Sequence, residues 1–281
     1  MLNPLSSLKH PVLLCLYFIS SWSYAQIYSS ASSGAVAGAG RAAVEASDVN
    51  YLNPAALVHA KGRYIYSSWS REDLSVGLSE TGRDVVLPAS FSYFVSNSKN
   101  NSDQDVQVQE FRLSVADFIF DRLAIGLTGN DNTSKINGVK YNQTNANIGL
   151  FFTPTDRLGV AWVFYNTFEP RSNIPEDLRL RPQMAFGVNT IYQNILRARF
   201  DVLSSADNNF GKAIYMGGFE TLWNEWMTLR LGYKNDIKAE QELFTQGLGF
   251  NGPVFAMNYS HQGNIKGKDF DRHSIDLLIS F

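Results

Sequence analysis

Cysteine, charge and long hydrophobic runs are all scarce in this chain. The one cysteine, Cys15, lies in an apolar stretch near the N-terminus. If that stretch is removed, no thiol remains for disulfides, zinc–thiolate sites or nucleophilic catalysis. Charged residues make up only 18% of the 281 residues, against roughly 25% in an average soluble domain. Part of the surface is therefore expected to face something other than water.

The scarcity of apolar runs and of clustered basic residues disfavours two further classes. No stretch after the N-terminus approaches the roughly 18 uninterrupted apolar residues that a spanning helix needs. The net charge is −2 and the basic residues are scattered, so we expect no nucleic-acid partner. A closed β-barrel is the other structure that satisfies every backbone group in lipid.

Residues 1–25 have the pattern of a secretory signal peptide. An apolar core at residues 11–22 is followed by small residues at Ser23 and Ala25. We predict export and cleavage after Ala25, so that the mature chain starts at Gln26. A short membrane anchor is the alternative, but the apolar run is short and no positive stop follows it.

Residues 62–281 alternate between apolar and polar side chains in segments of roughly eight to eleven residues, as membrane-barrel strands do. In the last segment, Ile275, Leu277, Ile279 and Phe281 share one face. That face suits lipid, while the small and polar residues on the other face suit a lumen. The terminal pattern also fits the signal that barrel-assembly machinery recognises, so we expect that machinery as a partner during biogenesis.

Alternation alone does not distinguish a membrane barrel from a soluble barrel or sandwich. The export signal, the aromatic residues near predicted strand ends and the alternating link lengths favour the membrane. The short links are predicted at 119–121, 193–194, 223–225 and 251–253, and the longer polar links include 130–142 and 166–182. We predict an all-β, antiparallel transmembrane barrel of about fourteen strands with both barrel ends in the periplasm. Twelve strands remain the alternative.

Residues 26–61 show no alternation and are rich in Ala, Gly and Ser. Because small side chains permit close backbone packing, we predict a compact hatch inside the lumen; a flexible periplasmic tail is the alternative. Within it, Pro54 fixes a bend that the Asn53 side chain can cap. The most distinctive residues of this segment are Gly38, Gly40, Asp48, Asn53, Pro54 and Ala55.

These residues resemble the N-terminal hatch of FadL-type outer-membrane transporters, a superfamily that includes PorV-like barrels. Segments 174–179, 219–220, 229–233 and 247–250 resemble later parts of the same family. The resemblance implies a fourteen-stranded plugged barrel for passive uptake of hydrophobic, fatty-acid-like or aromatic compounds. A PorV-like docking barrel for exported proteins is the alternative. The loops here are too short for the large capture domain that longer members carry.

Nine charged residues of the strands are predicted to face the lumen. They either pair to hold the hatch and set the polarity of a pathway, or form the solvated and cross-paired interior that any barrel has. They are Glu110, Arg112, Arg197, Arg199, Asp201, Glu220, Arg230, Lys234 and Asp276.

Neither a catalytic nor a metal site is predicted. An outer-membrane hydrolase would need a serine with a histidine base in reach, and the predicted mature chain has only His59, His261 and His273. Acidic loop residues such as Asp103 and Asp131 lack a regular ligand spacing. We expect a monomer in outer-membrane lipid, without enzyme activity, metal or cofactor.

Overall fold

A computed structural model describes residues 28–82, 85–99, 104–205, 212–224, 226–267 and 269–281. The predicted signal peptide and its cleavage site lie outside these residues. Within the described part, fourteen antiparallel strands close into one barrel, because β1 pairs with β14 from Tyr64↔Ser280 to Ser70↔Ser274. Among the described residues, no helix is long and apolar enough to cross a membrane.

The strands follow one another around the wall in chain order. They are β1 (Gly62–Ser70), β2 (Asp73–Thr81), β3 (Ala89–Lys99), β4 (Asp105–Phe120), β5 (Leu123–Ile136), β6 (Val139–Thr155), β7 (Leu158–Tyr165), β8 (Gln183–Tyr192), β9 (Leu196–Ser205), β10 (Ile214–Leu222), β11 (Met227–Asp236), β12 (Gln241–Asn251), β13 (Phe255–Lys266) and β14 (Asp271–Ser280). The end of the barrel where β1 begins and β14 ends is called the proximal end below, and the opposite end is the distal end.

The two faces of the wall have opposite chemistry. Large apolar side chains point outward and are 46–58% exposed at Ile65, Phe91, Leu113, Leu127 and Leu231. Small and polar side chains point inward and are buried at Ser75, Ser114, Thr128, Thr245 and Ser274. An apolar exterior around a polar interior is the reverse of a soluble barrel. The prediction of a fourteen-stranded membrane barrel is therefore confirmed.

The proximal links lie close to where the sequence places them, but one distal link is wrong. Instead of a long loop at 130–142, β5 and β6 continue to a tight hairpin at Asn137-Gly138. Their polar tips pair across the ladder, with Thr133 donating to the Asn142 side chain at 3.1 Å. The side chains at 130–142 are polar on both faces, a pattern that is typical of a loop. In the structure they belong to β5 and β6, which protrude beyond the apolar belt.

Residues 28–61, called the inner segment, lie inside the barrel. They contain two short helices, α1 (Ala31–Gly34) and α2 (Val49–Leu52), and a 3₁₀ helix at Pro54–His59. Most of their side chains are buried, and the 3₁₀ helix packs on β4, β5 and β6. The polar interior of the wall is thus filled by this segment of small residues.

Glycines on the inward face of the wall make room for the inner segment. A β-carbon at Gly126 would collide with the backbone of Pro54 and Ala55. A β-carbon at Gly232 would lie 2.6 Å from the Val36 carbonyl carbon. Such contacts occur on seven strands, at Gly126, Gly149, Gly159, Gly187, Gly218, Gly232 and Gly247. The wall is therefore shaped to the backbone that it encloses.

Candidate functional site: the lumen and its inner segment

Two buried carboxylates hold the beginning of the inner segment. Asp276 on β14 accepts hydrogen bonds from the backbone N–H groups of Ala31 (2.8 Å) and Ser32 (3.0 Å). Asp48 accepts from the N–H and hydroxyl of Ser30 (3.0 and 2.7 Å) and from the Ser33 hydroxyl (3.1 Å). The first turn is thereby tied both to the wall and to the start of α2.

The carboxyl group of Asp48 has a raised pKa of about 7. Complete burial is the main cause, because it disfavours the charged form, and the nearby charge of Asp276 adds to it. Hydrogen bonds from Ser30 offset part of the shift. The protonation state of Asp48 therefore changes close to neutral pH.

Asp201 on β9 holds the middle of the inner segment. Its Oδ2 accepts from the backbone N–H groups of Gly40 (2.8 Å) and Arg41 (3.0 Å) and from Nη1 of Arg41 (2.9 Å). Both side chains are almost completely buried, at 0% and 1% exposure. A buried ion pair with these extra hydrogen bonds is stable when complete, and loss of one partner leaves an uncompensated charge.

A five-residue ion network joins the inner segment to β9, β10 and β11 on the proximal side. Glu45 of the inner segment contacts Arg197 at 3.1 Å and also Arg199. Glu220 lies against the same two arginines, at 3.0 Å and 3.2 Å, and against Arg230. Three positive and two negative side chains therefore share one partly desolvated region, in which Glu45 is the only member contributed by the inner segment.

On the opposite wall the contacts are mostly neutral. The Tyr51 hydroxyl lies 2.9 Å from the Ser75 hydroxyl, and the Asn50 amide donates to the Ser90 hydroxyl at 2.8 Å. Arg112 donates to the Asn50 carbonyl at 3.1 Å and lies over the Tyr51 ring at 4.7 Å. Glu110 pairs with Arg112 at 3.0 Å.

The structure gives the hatch residues definite local geometries. The Asn53 side chain accepts from the N–H of Ala55 at 3.0 Å, while Pro54 occupies the first turn of the 3₁₀ helix. Asn53 also donates to the Arg41 carbonyl at 2.9 Å. Gly38 has a φ of +83°, which only glycine adopts without a steric cost.

The remaining predicted residues divide between the two faces. Lys234 is half-buried on the inward face of β11. Ile275, Ile279 and Phe281 are exposed on the outward face, and Leu277 is half-buried there. Their role in assembly stays a prediction.

Sequence reasoning missed a second closure of the lumen, formed by the distal link 166–182. Gln143 and Asn145 of β6 each bond one carbonyl and one N–H of this link, at 2.7–3.1 Å. Asn147 accepts another of its N–H groups at 2.9 Å. These amides recur at every second residue, which places them on the inward face of one strand. That spacing is the sequence signal that could have predicted the second closure.

Sequence reasoning also missed an apolar patch in the distal lumen, called the lumen patch. It is a buried cluster of side chains from β7 to β10 that packs around Ala39 of the inner segment. The wall residues are Val163, Tyr165, Ala185, Leu203 and Met216. Other buried apolar clusters also line the inward face, but the lumen patch gathers its wall residues from four consecutive strands.

A cavity of about 260 Å³ lies at the proximal side of the inner segment. Val44 and Glu45 form its inner wall. Apolar side chains of Ile191, Leu196 and Leu222 line it together with three members of the ion network, Arg197, Glu220 and Arg230. The inner segment therefore separates the lumen patch from this cavity.

Several solved structures of outer-membrane channels resemble this barrel over about nine-tenths of the chain. The Pseudomonas putida toluene transporter TodX matches with a TM-score of 0.72 at 10% identity, over 91% of this chain and 99% of the transporter. The CymD monoaromatic hydrocarbon channel matches with 0.69 at 11% identity, over 89% and 96% of the two chains. The chain has the FadL-type barrel fold.

A Pseudomonas aeruginosa FadL homologue has the same arrangement, with a TM-score of 0.59 at 11% identity over 90% of this chain and 98% of the homologue. The resemblance inferred from the sequence is confirmed at the level of the fold. No family model and no curated protein matches the sequence.

Proposed function

We propose that the chain is a channel of the bacterial outer membrane for passive uptake of hydrophobic small molecules, either monoaromatic or fatty-acid-like. The lumen patch is the observation that carries this proposal, because its side chains, which are buried against Ala39, offer apolar contacts to a solute without polar groups once the inner segment shifts. The likeness in fold to barrels described as toluene and monoaromatic hydrocarbon channels supports the same solute class.

The proposed route crosses the inner segment. A solute enters at the distal end past the link 166–182, binds at the lumen patch beside Ala39, and leaves through the proximal cavity beside Glu45. Since the inner segment lies between these two places, it must shift for passage. Hydrogen bonds and ion pairs attach it to the wall, and these can break and re-form without the cleavage of a covalent bond.

The orientation follows from the links. Five of the six proximal links are two to four residues long, and the longest described link, 166–182, lies at the distal end; in outer-membrane barrels the short turns face the periplasm. We further propose export by the signal peptide at residues 1–25, cleavage after Ala25, a monomer in outer-membrane lipid, and no enzymatic activity.

A disulfide lock tests the route. With Cys15→Ala in every variant, Val36→Cys and Gly218→Cys place a cysteine on the inner segment opposite one on β10. A β-carbon at Gly218 would lie 2.7 Å from that of Val36 and 2.7 Å from the Leu231 carbonyl oxygen. Shifts of about 1 Å in β10 and the inner segment give the separation that a disulfide needs, and the reduced variant must first show the uptake of the parent. Oxidised cells should accumulate labelled toluene or oleate no faster than cells without the protein, and reduction should restore uptake.

The matched control locks the wall alone. Ser114→Cys and Thr128→Cys join β4 to β5 at facing positions whose hydroxyls are 2.8 Å apart, and this disulfide should leave uptake unchanged. Equal uptake by the locked and reduced inner-segment variants would overturn the route. If neither solute enters faster than in cells without the protein, although the barrel is inserted, the uptake function itself is wrong.

A further inference from the structure

Three polar residues form a compact cluster on the outside of the barrel, close to the distal end. His261 on β13 and His273 on β14 are directly paired across the ladder, and Asp271 lies two residues before His273 on the same face. The side chains of His273 and Asp271 are more than half exposed, and that of His261 is 31% exposed. Tyr259 and Ile275, the next outward pair toward the proximal end, belong to the apolar belt.

The two imidazole rings are arranged around one carboxylate. They stack with centroids 4.7 Å apart and planes inclined by 24°. Nε2 of His261 lies 2.7 Å from Oδ1 of Asp271, and Nε2 of His273 lies 3.6 Å from the same oxygen. One ligand atom from each of the three residues lies within 4.8 Å of the other two.

The opposite nitrogen of each ring already has a partner. Nδ1 of His273 lies 2.7 Å from the Tyr259 hydroxyl, and Nδ1 of His261 lies 3.4 Å from the Gln246 side-chain amide. In metal sites a histidine ligand binds the metal with one ring nitrogen while the other donates to a fixed polar group, which sets the tautomer. Nδ1 of His273 can donate to the Tyr259 hydroxyl and so has that arrangement. Nδ1 of His261 faces the Gln246 amide nitrogen, which is a donor, so it donates to this side chain only after the amide group turns over.

We propose that His261, Asp271 and His273 bind a divalent transition-metal ion of the zinc class on the outer face of the barrel. Imidazole nitrogens with one carboxylate suit Zn²⁺ rather than Ca²⁺ or Mg²⁺, which prefer oxygen ligands. Zinc needs bonds of about 2.0–2.2 Å to such ligands. Nε2 of His261 and Oδ1 of Asp271, which are 2.7 Å apart, therefore separate slightly around the ion, while the more distant ligand atoms move closer, through rotation of side chains that are partly exposed. Water or an anionic lipid oxygen can fill the open coordination positions, which face outward.

The site also has a structural consequence. It joins β13 to β14 at the distal rim, and β14 is the strand that closes the barrel against β1. A bound ion therefore fixes the register of the last hairpin. The sequence predicts no metal site because its acidic loop residues lack a regular ligand spacing along the chain. His261 and His273 are twelve positions apart and meet only through the pairing of β13 with β14.

Zinc binding to the purified, detergent-solubilised barrel tests the proposal, with any polyhistidine tag removed. Equilibrium dialysis followed by elemental analysis should find one zinc per chain, removable by EDTA. Co²⁺ in place of zinc should give the visible absorption of a four- or five-coordinate nitrogen–oxygen site. His261→Ala, His273→Ala and Asp271→Asn should each lower the zinc affinity about 100-fold or more, and Tyr259→Phe about 10-fold.

His59→Ala is the matched control, because His59 packs against Phe118 and Phe151 far from the cluster, and it should keep full zinc binding. Folding of every variant is checked by the shifted mobility of the unheated barrel in gels, and His273→Gln replaces His273→Ala if the alanine variant fails to fold. Zinc binding that is unchanged in the His261 and His273 variants, or that is equally lost in His59→Ala, would overturn the proposal.

Discussion

The lumen is closed by two segments that are held in different ways. The inner segment is tied to the wall by charged groups, chiefly Asp201, Asp276 and the arginines around Glu45. The distal link 166–182 is tied by neutral groups, namely three amides of β6 and the packing of Ile174 and Leu178 against Val106. Loss of one partner from a buried ion pair leaves an unpaired charge and costs several kcal/mol, whereas a neutral hydrogen bond contributes about 1 kcal/mol. We therefore expect the inner segment to open in an all-or-none manner and the distal link to loosen gradually.

The largest expected effect comes from Asp201→Asn. This change leaves Arg41 buried without its counter-charge and weakens the acceptor of two backbone N–H groups, so it should destabilise docking of the inner segment by about 3–5 kcal/mol. Hydrogen exchange of the amides at residues 36–44 measures the change, and solute permeability should rise with it.

The matched control for Asp201→Asn removes a carboxylate charge from the outside of the barrel. Glu80 pairs with Arg63 at 2.7 Å, and both side chains are more than one-third exposed. Glu80→Gln should therefore change exchange and permeability little, since exposed pairs contribute about 0–1 kcal/mol. Equal effects of the two substitutions would show that the buried charges do not hold the inner segment.

The next effect is a pH dependence from Asp48. Its pKa in the docked state is about 7, above the ordinary value of 3.8, so the docked state binds the proton more tightly than the released state. This contribution to docking is complete below about pH 4, falls by about 1.4 kcal/mol per pH unit as pH rises, and is lost above about pH 7. Hydrogen exchange of residues 29–35, divided by the intrinsic exchange rate at each pH, should therefore accelerate between about pH 4 and pH 7.

Asp48→Asn isolates that titration, because the amide keeps the shape and does not ionise. The charges of two other acids, Asp276 and Glu45, also raise the pKa of Asp48, and both acids remain in the variant. The acceleration between about pH 4 and pH 7 should then shrink to the residual that these groups produce. An undiminished pH dependence in Asp48→Asn would assign the titration to another group.

The difference between the two closures also explains what the sequence could predict. Strict alternation, as at Leu123 to Thr128, determines which face meets lipid, so the barrel, its strand number and the inward charges follow from local pattern. The partner of each inward charge does not follow, because Asp201 meets Gly40 and Arg41 only after the chain has closed and folded back on itself. The polar residues Gln143, Asn145 and Asn147 alternate just after the predicted link 130–142, and their role does not follow from the sequence because their partners lie in the link 166–182.

The smallest expected effects come from the amides of β6. Gln143→Ala, Asn145→Ala and Asn147→Ala should each weaken the docking of link 166–182 by about 1 kcal/mol. The triple variant should accelerate hydrogen exchange across that link while exchange at residues 36–44 stays unchanged. Asn142→Ala is the matched control, because Asn142 lies on the outward face of the same strand and bonds Thr133 instead. If the triple variant also released the inner segment, the two closures would form one cooperative unit, and the contrast between charged and neutral attachment would not govern how the lumen opens.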